Sequence, residues 1–82
     1  MVAPKRVPER IFRVAWSAVR RRFVATDEEG NDLGVSVDRE NAIGSAVREA
    51  GRASRDGCRV VVMVEQQNGK LRKEYVAEAL RR

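Results

Sequence analysis

Two stretches of this 82-residue sequence carry side chains dense enough to do chemistry. The first is Arg20-Arg21-Arg22, the end of a basic stretch in which residues 1–26 hold seven Lys/Arg against Glu9 alone. Cations at that density suit a phosphate backbone, where every contact adds to the salt dependence of binding. The second is Asp27, Glu28, Glu29 and Asp32, in a segment (27–41) holding six acids against Arg39 alone. Four carboxylates so close could hold a divalent cation, but they lack the regular D-x-D-x-D-G spacing of a calcium loop. A solvated turn is the expected reading, and no metal ligand is assigned.

Catalysis is poorly served. There is no histidine to act as general base, and no glycine-rich loop leads into a helix to hold a phosphate. The single cysteine, Cys58, excludes an internal disulfide and has no histidine partner for a zinc cluster or a nucleophilic pair. It leads into an apolar run, where a small thiol packs as a hydrophobe. No enzyme activity, catalytic residue, cofactor or small-molecule substrate is therefore expected.

The elements that must position these groups follow from periodicity. Residues 1–8 hold both prolines, two bases and no pattern, and read as a flexible arm. Phe12, Val14 and Trp16 alternate with Ile11, Arg13 and Ala15 in a first strand, and after a short connection at Ser17–Arg20 the period of two resumes in Arg22–Thr26. Trp16 and Phe23 are expected in the core. Alternation also splits the arginine run, placing Arg20 and Arg22 on one face and Arg21 on the other. Gly30-Asn31 supplies a turn, and Leu33–Val37 a third strand in which Gly34 signals a bulge or a close backbone approach.

Asp38 opens the one convincing helix, with Ala42, Ile43, Ala46, Val47, Ala50 and Ala53 as its apolar stripe and Asp56-Gly57 as its stop. Arg48, Arg52 and Arg55 lie opposite that stripe, facing water. Val60–Val64 is apolar on both faces, as in a central strand. Asn68-Gly69 then signals a hairpin returning through Leu71–Val76, although Lys73–Arg82 also reads as a short helix. A strand to Val76 with a frayed helical tail is the preferred reading. The expectation is one α+β domain over 9–78, flanked by the arm and a tail at 79–82. Its order is β-β-β-α-β-β, a mainly antiparallel four- or five-stranded sheet with one helix packed on one face.

Phe23 and Ala25, the capped helix DRENAIGSAVREAGR, the strand Val60–Val64, the turn Asn68–Lys70 and Tyr75 together resemble the small prokaryotic family catalogued as domain of unknown function 2188. That family shows a Trp-x-Val strand, a Thr-led helix with an alanine face, a valine-rich strand, an Asp-Gly-Lys turn and a terminal tyrosine. Here Phe23, Ala25, Asp38 and Asn68 stand at the positions of its Trp, Val, Thr and Asp. The resemblance implies a fold and carries over no catalytic residue.

Function is thus expected to be binding. One helix shields one sheet face, which leaves Val61 and Met63 needing cover, so these two are the candidate self-association residues, in a homodimer or against a protein partner. The alternative is nucleic acid, held by Lys5, Arg6, Arg10, Arg13, Arg20 and Arg22 along the arm and first hairpin. No run approaches the roughly 20 apolar residues of a membrane span, and no secretory signal is evident. A cytoplasmic protein with no membrane partner is expected.

Overall fold

The computed structural model describes residues 7–80. Most of the arm, including Lys5 and Arg6, and the last two tail residues lie outside that range. The chain forms β1 (Glu9–Ser17), β2 (Arg22–Thr26), β3 (Asp32–Ser36), α1 (Arg39–Arg55), β4 (Arg59–Glu65) and β5 (Leu71–Ala77). This is the expected α+β order. The five strands make one sheet, β3-β2-β1-β4-β5.

The sheet is mixed. β1 runs antiparallel to β2, β2 to β3 and β4 to β5, but β1 and β4 are parallel, with Glu9 opposite Arg59 and Val14 opposite Val64. The cause is α1, which carries the chain from the far end of β3 back to the level where β1 began. A parallel neighbour requires such a crossover, because no short turn can make one.

Side chains on one sheet face meet α1. Phe12, Val14, Ala25, Val60, Val62 and Val64 pack against Ala42, Ala46, Ala50 and Ala53 in one buried cluster. With only methyl groups on its inner stripe, the helix lies close to the sheet. Gly34 permits that closeness on β3, where a Cβ would collide with Cβ and Oγ of Ser45. The β2–β3 register also shifts beside it, between Ala25 and Thr26, so both readings of Gly34 hold.

Both helix ends are closed as the sequence indicates. Asp38 accepts a hydrogen bond from the Glu40 N–H at 3.0 Å. At the other end Gly57, at φ +93°, lets its own N–H reach the Ser54 carbonyl while Cys58 N–H reaches that of Ala53, which satisfies two otherwise orphaned acceptors. In the last hairpin Gln66 N–H donates to the Lys70 carbonyl at 2.7 Å, with Gly69 at φ +80°.

Two expectations need correction. Among the described residues no helical turn follows β5: residues 78–80 run without regular structure along the helix C-terminus, where Ser54 Oγ donates to the Glu78 carbonyl and Leu80 N–H to that of Ser54. Those bonds anchor the chain more firmly than one isolated turn would. Second, Trp16 is not core. It is 47% exposed, while Phe23 is half-buried, because the helix that shelters Phe12 and Val14 does not reach the end of β1. Among the described residues no helix is long and apolar enough to cross a membrane.

The close approach at Gly34 is testable. Gly34→Val should lower unfolding free energy in urea by about 1–3 kcal/mol through overpacking. A variant as stable as the parent would show that the helix simply moves away.

Candidate functional site

Of the arginines expected to grip nucleic acid, those among the described residues do not converge, and their neighbours explain why. Arg10 Nη2 lies 3.3 Å from Glu28 Oε1 and 3.8 Å from Asp27 Oδ2, and Arg20 Nη1 lies 2.7 Å from Asp32 Oδ2. The acidic turn therefore neutralises part of the basic hairpin. Arg13 and Arg22 have no acid partner among the described residues. Both face away from the helix, at the registers of Thr26 and Ser17.

The acids of that turn have structural work. Asp27 Oδ1 accepts the backbone N–H of Glu29 and of Asn31, each at 2.9 Å, and its Oδ2 accepts Asn31 Nδ2 at 3.1 Å. Glu28 Oε2 accepts the N–H of Ile11 at 3.3 Å, continuing the β1–β2 ladder past the end of β2. Hydrogen bonds from Asn31, through backbone and side chain, hold the Asp27 carboxyl below its ordinary range. Desolvation pushes Glu28 up, but bonds from its own backbone, from Arg10 and from Ile11 outweigh that and lower it as well. Among the described residues no group of three metal-ligating side chains comes together. Cys58 is a half-buried free thiol packed against the core.

Two surfaces remain with unspent binding chemistry. One is the sheet face turned away from α1. In register, Ile11 stands beside Val61 and Val61 beside Val76, while Met63 stands between Arg13 and Lys73. Val61 departs from expectation: it is 5% exposed within a single copy, closed off by its lateral neighbours without a covering layer. Met63 is half-buried. The exposed apolar positions of this face are instead Ile11 at 48%, Val35 at 37% and Leu71 at 38%.

The other surface was missed by sequence reasoning. Beyond the start of α1, on the helix side of the sheet, an open concavity of about 780 Å³ is lined by Trp16, Phe23, Arg39 and the segment Glu65–Asn68. Trp16 and Phe23 are register partners whose rings meet edge to face, centroids 5.0 Å apart at 70°. An available signal was that Trp16 ends its strand while the chain's helix is capped at Asp38, so the two ends need not overlap. The concavity offers an aromatic surface, amides, a guanidinium and a carboxylate, a set suited to binding a planar polar group. No family model, curated protein or solved structure matches this chain, so these surfaces are read from their own geometry.

Because both turn carboxylates are stabilised as anions, their contribution to stability is complete above the usual carboxylate range and lost as pH falls through their lowered values. The urea midpoint should hold between about pH 7 and 5 and fall below about pH 4. Glu28→Gln should make that acid limb shallower; an identical limb in the variant would show that the carboxylate adds nothing.

Proposed function

We propose that this chain is a non-enzymatic interaction module that docks protein through the sheet face opposite α1, a second copy of itself being the first occupant. The observation that supports it is the composition of that face. A solvated sheet face ordinarily alternates to polar residues, whereas this one interleaves Ile11, Val35, Met63 and Leu71 with Arg13, Arg22, Glu65 and Lys73, with Val24 and Val61 packed between them. Exposed apolar side chains bordered by charged ones are the composition of an association site.

The edges of the sheet favour face over edge contact. β5 carries Arg72, Lys73 and Glu74 along its length and β3 has five residues. Short or charged edge strands resist strand addition. A two-fold axis through the open face would set the same apolar patch against itself, the commonest way to close an assembly.

Light scattering at micromolar concentration should give a mass near twice 9.2 kDa. Ile11→Lys, at a position already half exposed, should return a folded monomer. A parent chain that is monomeric under these conditions removes the self-association reading.

A further inference from the structure

The two hairpins are brought side by side at one end of the sheet by the parallel pairing. Because β1 and β4 end together, the β1–β2 and β4–β5 turns and the start of α1 share that end. It gathers Arg21, Arg39, Lys70 and Arg72, none of which has an acid partner among the described residues, whereas Arg20 is held by Asp32 and Arg22 faces the other side of the sheet. The acids that share this end are Asp38, occupied in capping the helix, Glu40, Glu65 and Glu74. Asp38 and Glu74 are already engaged, Glu74 with the Gln66 amide at 3.4 Å, so the four cations are freer to meet a ligand than the acids are.

Within that basic end lies the concavity floored by Trp16 and Phe23. The edge-to-face contact holds the Trp16 indole in place, so a flat partner laid on it need not order the ring first. Around it stand Gln67, whose amide has no partner within the chain among the described residues, Asn68, whose Oδ1 accepts the Lys70 N–H while its Nδ2 stays free, and Gln66, whose Nε2 donates to Val64 and Glu74 while its Oε1 stays free, together with the Arg39 guanidinium and the Glu65 carboxylate. These are the groups that read the edge of a nucleobase while its face stacks on an aromatic ring.

We propose that this corner binds single-stranded nucleic acid, with one unpaired base stacked on Trp16 and its flanking phosphates held by Arg39, Arg21, Lys70 and Arg72. A base inside a duplex has both faces covered by its neighbours, so contact with the indole requires a single strand or a splayed-out base. Four cations without acid partners favour a polyanion over a neutral sugar, which would also stack on tryptophan. Trp16 and Phe23 lie on the side of the sheet opposite Ile11, Val35 and Leu71, so the stacking surface is distinct from the docking face.

Trp16 is the only tryptophan in the sequence, so its fluorescence reports the contact directly. The full chain is titrated with mixed-sequence 12-nucleotide DNA and RNA single strands, the matching DNA duplex, heparin and a neutral oligosaccharide. Expected is quenching by one or both single strands, weakening as salt rises, with less by the duplex and little by heparin. Which single strand quenches more assigns the sugar. Trp16→Ala should cost roughly 5- to 150-fold in affinity by anisotropy of a labelled strand, the range for one stacked base, while Trp16→Phe keeps most of the binding. Gln67→Ala, at an exposed loop position that cannot compromise folding, should weaken binding severalfold. Equal quenching by heparin or duplex, undiminished binding by Gln67→Ala together with folded Trp16→Ala, or quenching by the oligosaccharide alone would each overturn the proposal.

Discussion

The parallel pairing of β1 with β4 is the constraint on which the rest of the molecule depends. It joins two locally folded pieces, the three-strand meander and the last hairpin, through residues about fifty positions apart in sequence. Without it neither piece has a core, since a hairpin or small meander alone is marginal in water. The contact is reinforced at its start, where Arg59 reaches Glu9 at 2.6 Å and Glu78 at 3.2 Å. Such an exposed ion pair adds little energy by itself. Its value here is to fix where two distant strands align.

The second determinant is the thinness of the helix face. Alanines at 42, 46, 50 and 53 bring α1 down onto the sheet, and Gly34 removes the one side chain that would hold it off. A helix seated so closely shelters the middle of β1 and β4 but leaves the corner near its N-terminus bare. The same economy that makes a small core dense therefore leaves Trp16 in the open.

Local signals in the sequence were read well because local forces decide them. Asp38, Gly57 and Gly69 act within a turn or two of themselves, and the alternation of Phe12 and Val14 or of Val60, Val62 and Val64 is imposed by the pleat. What could not be read depends on distant partners. The ion pairs of Arg10 and Arg20 with the acidic turn span a dozen or more residues, and nothing in the arginine run reveals them. Period-two alternation correctly put Trp16 on the side of Phe12 and Val14, but it carries no information about how far a helix will reach. Val61 was expected to need outside cover because an apolar strand face looks bare when its neighbours are unknown; Ile11 and Val76 close around it once strand order is fixed.

The sheet order also decides where the polypeptide enters and leaves. β1 begins beside the start of β4, and β5 finishes there, with Ala77 opposite Val60. The first and last strands of the described chain thus begin and finish together at the pole opposite Trp16. The start of β1 and the end of β5 therefore crowd one pole and leave the approach to the aromatic corner to the turns and the start of α1.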